Sequence, residues 1–170
     1  MDSSAVQISV TTEPEQVRVK VTGTIDEHFN LAGHLPVICA AKRVVIDTGG
    51  VKRVNSAGVR TWIMFLSQLP PGVELVFEKL PVVLVEQANM VLNFLGHGRV
   101  TSFMAPYFCY DCQENTTPLI PDGKVEFDWA NPHPPTINCA TCSGALSFDD
   151  DEEGYFEFLK SGKSGGPSRS

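Results

Sequence analysis

The stretch that most constrains the fold runs from Val44 to Leu69. It opens with three β-branched apolar residues, Val44, Val45 and Ile46, and continues through a polar, glycine-containing connection, Asp47 to Gly50. After Asn55-Ser56-Ala57-Gly58 the pattern changes. Val59, Trp62, Ile63, Leu66 and Leu69 then recur at the spacing of one helix face. The near-continuous apolar run reads as a strand covered on both sides. The polar tetrad falls where that strand hands over to a helix. A helix start exposes unpaired backbone N–H groups, which Asn and Ser side chains cap. It also attracts anions, phosphate among them.

These residues, IDTGGVKRVNSAGVRTW, resemble the signature of the STAS family, the sulphate-transporter and anti-sigma-factor-antagonist domain. That signature is a core strand, a turn, and Asp-Ser-Ser/Thr-Gly opening a helix. Here Asn55, Ser56, Ala57 and Gly58 hold those places, with Asn for the usual Asp and Ala for the second hydroxyl residue. Gly23-Thr24-Ile25-Asp26 is similar to the Gly-Glu-Leu-Asp that ends the second strand of such domains. The resemblance covers roughly residues 5–105. It implies a mixed β-sheet with helices and a non-enzymatic, bacterial signalling module. Its partner would be a switch kinase, an anti-sigma factor or a related signalling protein. The docking surface would run from Asn55 through Ser56 and Gly58 to Arg60, and Ser56 matches the serine phosphorylated in the antagonists.

Outside the signature, Val6, Ile8 and Val10 alternate with polar residues, as do Val17, Val19 and Val21. Residues 6–11 and 16–22 are therefore expected to form a hairpin turning at Glu13-Pro14-Glu15. A short helix interrupted by Gly33 and Pro36 is expected within 27–41, and strand 44–47 and helix 57–69 follow. Further on, a strand over 73–77, a helix from Pro81 to Leu95 and a strand over 99–108 complete the order. Strands alternating with helices make this an α/β fold, with the opening hairpin giving mixed strand direction.

Beyond Phe108 prolines cluster at 118, 121, 132, 134 and 135, and helical patterns vanish. Short strand-like pieces fall at 125–129, 136–138, 145–148 and 155–159, the last two joined by an acidic loop, Asp149 to Gly154. Two cysteine pairs dominate the chemistry: Cys109-Tyr-Asp-Cys112 and Cys139-Ala-Thr-Cys142. Each Cys-x2-Cys can supply two thiolates from one tight knuckle, and two knuckles complete a tetrahedral zinc site. Four thiolates leave no open position, so a structural rather than catalytic zinc ion is expected. The segment resembles a β-rich zinc ribbon, with Gly144 close behind the second knuckle. The organisation read from the sequence is thus a STAS-like domain over 1–105, a zinc-ribbon-like domain over 106–160 and a disordered tail over 161–170. Zinc binding in finger peptides contributes roughly 10–16 kcal/mol to folding, more than a small, loop-rich segment gains by burial alone.

Other readings stay in view. Ser56 is either a helix cap, worth about 1 kcal/mol, or a phosphoacceptor whose added charge lies at the favourable end of the helix dipole. Lys52, Arg53 and Arg60 are either solvated charge or contacts for such a group. Ribbons also serve as nucleic-acid-binding or assembly adaptors, and a Cys-x2-Cys can be a redox pair. Against nucleic acid, 106–160 contains only Lys124 and Lys160 as basic residues, and the whole chain carries a net charge of −7. Cys39, among apolar neighbours, reads as a buried inert thiol. His133 lies near the second knuckle but is not required as a ligand. No apolar run is long enough to span a membrane, and the first residues lack a secretion pattern, so the expected compartment is the cytoplasm.

Overall fold

The computed structural model describes residues 5–128 and 131–161. The expected tail lies outside them except for Ser161, as does Trp129. Strands β1 (Gln7–Thr12) and β2 (Gln16–Ile25) form the expected antiparallel hairpin. A 3-10 turn at Ala32–His34 leads into α1 (Leu35–Ala40). Pro36 sits in the first turn of that helix, where a missing N–H costs nothing, rather than interrupting it. Then come β3 (Arg43–Val54), α2 (Ser56–Ser67), β4 (Glu74–Glu78), α3 (Val82–Met90) and β5 (Arg99–Val100). The five strands form one sheet in the order β1-β2-β3-β4-β5, with β2 to β5 parallel.

The sheet has one apolar face. Cross-strand rows Val17/Val44/Leu75 and Val19/Ile46/Phe77/Val100 point into the main core. Trp62 of α2 is fully buried there, flanked by Phe29, Phe77 and Phe94 at centroid distances of 5.5–5.9 Å. Its indole N–H donates to the Phe94 carbonyl at 2.8 Å, so the one polar atom of a large buried side chain is satisfied.

The 44–46 strand is buried on both sides as expected, but its second face lies among charged side chains and outside the main core. On the opposite face the rows are Gln16/Arg43/Glu74, Arg18/Val45/Val76/Arg99 and Lys20/Asp47/Glu78. Val45 and Val76 are buried yet stand outside the main core cluster. Charged neighbours surround them: Arg18 pairs with Glu78 at 2.8 Å, Arg99 with Glu74 at 3.1 Å, and Arg43 with Glu74 at 3.8 Å. Long charged side chains can bury apolar stems while their heads stay wet. Two isolated valines in a charged carpet give the same uninterrupted apolar run in sequence as a doubly covered strand.

Nor is Asp47–Gly50 a connection. β3 continues unbroken to Val54, beside β2 with register shifts after Lys20 and Gly23. The polar residues fit inside the strand because their groups are satisfied there. The Gly49 N–H and the Lys79 ammonium both donate to the Asp47 carboxylate at 3.0 Å. The fully buried Thr48 hydroxyl donates to the Glu78 carbonyl at 3.3 Å. Burial pushes the Asp47 pKa up, but those two donors outweigh it and hold the carboxyl below its usual value.

After α3 the expected helix to Leu95 stops early. Residues 91–98 are turns, with Asn93 and Gly96 at φ of 61° and 56°. The strand expected over 99–108 is three strands in three sheets: β5, β6 (Ser102–Met104) and β7 (Tyr107–Cys109). β7 pairs with β8 (Glu114–Thr116), and β6 with β9 (Leu119–Pro121). A small hairpin, β10 (Glu126–Asp128) and β11 (Asn131–His133), precedes β12 (Ser147–Phe148), which lies on the other side of β7.

The last described residues are helical and do not form the expected hairpin over 145–159. These are α4 (Glu152–Tyr155) and α5 (Glu157–Ser161). Asp151 caps α4, accepting from the Gly154 N–H at 2.9 Å, and Glu152 and Glu153 occupy its first turn. The strand preference of Tyr155, Phe156 and Phe158 is overridden by packing. Phe103 is met edge-on by Phe158 at 5.2 Å and Phe156 at 6.0 Å. Asn89 of α3 donates to the Tyr155 carbonyl at 2.9 Å and accepts from the Phe158 N–H at 2.8 Å. One apolar cluster therefore contains Val19, Ile46 and Trp62 together with Tyr107, Ile120 and Phe156. The core is continuous across residues 105 and 106.

Candidate functional site

The four knuckle cysteines converge. Their sulfur atoms all lie within 4.8 Å of one another. Cys109 and Cys142 are 3.5 Å apart, and Cys112 and Cys139 are 3.9 Å apart. A disulfide would need about 2.0 Å. A tetrahedral tetrathiolate with metal–sulfur bonds of about 2.3 Å has edges of about 3.8 Å. The observed spacings therefore fit four ligands around a metal ion.

The two knuckles are built alike. β7 delivers Cys109, and the Cys112 N–H turns back onto its sulfur at 3.5 Å. In the second knuckle the Thr141 N–H faces the Cys139 sulfur at 3.4 Å, and the Gly144 N–H faces that of Cys142 at 3.4 Å. The bridge between Asn138 and Ala145 closes this loop, and the Cys139 N–H donates to the Gly144 carbonyl at 2.7 Å. Directly after each second cysteine comes a left-handed residue, Gln113 at φ 58° and Ser143 at φ 64°. Neither is a glycine, so composition gives no sign of these turns. Gly144 leaves room for the first knuckle. A Cβ there would lie 2.2 Å from an Asp111 carboxylate oxygen of the first knuckle.

Backbone donors aimed at sulfur favour thiolate. The N–H groups of Cys142 and Thr141 pull the Cys139 thiol down to about 6. Hydrogen bonding with the Cys142 and Cys109 sulfurs pushes Cys112 up. The site is wrapped on its inner side: Cys109 is buried, Cys112 and Cys139 are half-buried, and Cys142 is exposed. Behind it, Tyr107 packs edge-on against Phe148 at 5.5 Å, and Phe148 stacks on Phe156 at 5.2 Å. This aromatic series links the knuckles to α4 and α3. The Tyr107 hydroxyl donates to the Pro135 carbonyl at 2.9 Å, and burial pushes its pKa up to about 12.

The second candidate surface is the start of α2. Asn55 is the cap, its Oδ1 accepting from the Gly58 N–H at 2.7 Å. The capping reading of Ser56 is thus replaced: Ser56 is the first residue inside the helix. The preceding Asn has the extended φ and ψ (−107°, 175°) that a cap requires. Ser56 is exposed, and its hydroxyl has no intrachain hydrogen-bond partner among the described residues. Gly58 is buried against the end of β2, where a Cβ would lie 2.0 Å from the Ile25 carbonyl oxygen. The Asn55 N–H donates to that same carbonyl at 3.2 Å, and the Thr61 hydroxyl to the Asp26 carbonyl at 3.2 Å. The helix start is therefore rigidly seated, while Ser56, Ala57 and Arg60, with Lys52 and Arg53 of β3, face solvent.

The remaining singled-out residues are elsewhere. His133 is exposed in β11 and is not among the converging ligands. Cys39 is half-buried rather than buried, its thiol 3.7 Å from the Gln68 carbonyl. Asp26 has the turn role expected of a strand end, accepting from the His28 N–H at 2.9 Å, but sequence reasoning missed that its ligand atoms cluster with those of Glu27 and His28 beside the α2 start, and missed Asn89, which ties α3 to α4 and α5. Among the described residues no helix is long and apolar enough to cross a membrane.

No protein-family model matches this chain, and neither does any curated protein. What the molecule does must be argued from its own geometry.

Proposed function

We propose that this protein is a non-enzymatic interaction module of the STAS type, of bacterial signalling character, stiffened by a structural zinc ion. Its partner is a regulatory protein, of the switch-kinase or anti-sigma-factor kind, that docks on the α2 start from Asn55 to Arg60. The single observation carrying this reading is the division of labour at that start. Asn55 does the capping and Gly58 the packing, which leaves the Ser56 hydroxyl exposed and unengaged on a rigid platform. A phosphate on Ser56 would meet the unpaired N–H groups and positive dipole of the first turn, with Arg60 one turn along. It would change the surface charge without disturbing the fold. The hairpin followed by parallel strands, with α2 leaving directly from β3, agrees with what the sequence motif implies.

Zinc is the metal that best suits four thiolates at tetrahedral spacing, and a saturated ligand set gives it a structural role. Affinity capture with wild type, Ser56→Ala and Ser56→Asp, read by mass spectrometry, tests the docking surface. A partner retained by wild type and lost or exchanged with Ser56→Asp is expected. Identical partners and affinities for all three proteins would overturn the assignment of this surface.

A further inference from the structure

The two edges of the five-stranded sheet are finished differently. β5 is two residues long, and the chain leaves it at once for β6, which pairs elsewhere. β1 is six residues long, pairs with β2 without a register shift, and has no strand or backbone hydrogen bond on its outer edge among the described residues. Sheets guard such edges with Pro, Lys, bulges or a covering segment. Gln-Ile-Ser-Val-Thr-Thr has none of these.

The turn fixes which groups face outward. The Glu13 N–H donates to the Gln16 carbonyl at 2.8 Å, so Glu13 and Gln16 are a hydrogen-bonded pair. Antiparallel pairing alternates from there. Gln7, Ser9 and Thr11 spend their backbone groups on β2, and Ile8, Val10 and Thr12 turn theirs outward. The side chains of Ile8 and Val10 lie on the helix-covered side opposite Val21 and Val19, and both are left half-buried.

We propose that this edge is a homodimer interface, in which β1 pairs antiparallel with β1 of a second copy to make a continuous ten-stranded sheet. A twofold axis normal to the sheet brings like faces together. The register that uses every outward group sets Val10 opposite Val10 and Ile8 opposite Thr12 of the other copy. Pro14, which has no N–H, stops the pairing beyond. Apolar side chains then meet apolar or β-branched ones on the helix side, and Ser9 meets Thr11 on the charged side. Charge allows a second copy here: residues 5–12 carry no charged side chain, so two chains of net charge −7 can meet along this seam without setting like charges face to face. The Gly-, Ser- and Pro-rich stretch 162–170 is a poor competitor by strand propensity. This inference is independent of the function proposed for Ser56.

The test measures mass by sedimentation equilibrium over a concentration series. Wild type is expected to dimerise. Val10→Pro removes an outward donor from each copy without touching β2, so it should weaken dimerisation about 10- to 100-fold, with unchanged secondary structure. Val10→Lys sets like charges face to face and should give monomer, deciding the matter if the proline variant misfolds. In amide exchange, Ile8, Val10 and Thr12 should gain protection with concentration, whereas Gln7, Ser9 and Thr11 stay protected throughout. A wild type that remains monomeric, or a dimer indifferent to Val10→Lys, would overturn the proposal.

Discussion

The sheet half and the cysteine half of this molecule reach order by different means. The sheet half has strands of up to twelve residues and a core centred on Trp62, fully removed from water. The cysteine half has strands of two or three residues, none long enough to hold a register alone, and its fixed points are two knuckles and a row of packed aromatic rings. Burial is diffuse and tolerates local damage, whereas ligation concentrates stability in four atoms. The two halves share one apolar cluster, yet they should differ sharply in what destroys them.

The largest expected effect comes from metal. Purified protein should carry one zinc ion, and a strong chelator or Cys139→Ser should remove amide protection from 107–148 while β2 to β4 keep theirs. The coupled folding energy at stake is roughly 10–16 kcal/mol in zinc-finger peptides. Equal loss in both halves would abolish the contrast. Next, Trp62→Ala should cost about 3–5 kcal/mol in chemical denaturation while leaving metal content unchanged, the reciprocal result.

A smaller effect sharpens the picture of the charged face. Asp47 is held below its ordinary pKa of 3.8, so its contribution is present above that value and is lost as pH falls through the lower, folded value. Asp47→Asn should therefore reduce stability by about 1 kcal/mol near neutrality, and the difference from wild type should begin to shrink below about pH 4 and vanish only once the pH is below the folded value. The smallest effect separates two neighbours. Asn55→Ala should cost about 1 kcal/mol in thermal unfolding, whereas Ser56→Ala should be near neutral. Equal costs would return the cap to Ser56.

How much of this was legible beforehand varies by region. The hairpin, the α2 periodicity and the cysteine quartet were readable because each is a local pattern whose spacing is its own evidence. The sidedness of the sheet was not, since Val45 and Val76 look in sequence like any doubly covered strand residue, and only the rows of β2, β3 and β4 reveal the charges around them. Asp47–Gly50 read as a connection because the carboxylate's partner, Lys79, arrives from just beyond the end of β4. The helices after Asp151 were hidden by aromatic residues that favour strands until α3 and Phe103 offer them a place. At the knuckles the ligands were plain, but the left-handed Gln113 and Ser143 carry no glycine to mark them.

Asn89 has a further consequence. Its amide is satisfied at both ends by the backbone of Tyr155 and Phe158, and Phe103 is roofed by rings from the same turn. During synthesis Tyr155 and Phe158 emerge more than sixty residues after Asn89, so α3 gains these two partners only once that later segment has been made. Such long-range closure is slow, and it makes the docking of residues 155–158 a check on whether α3 has formed correctly.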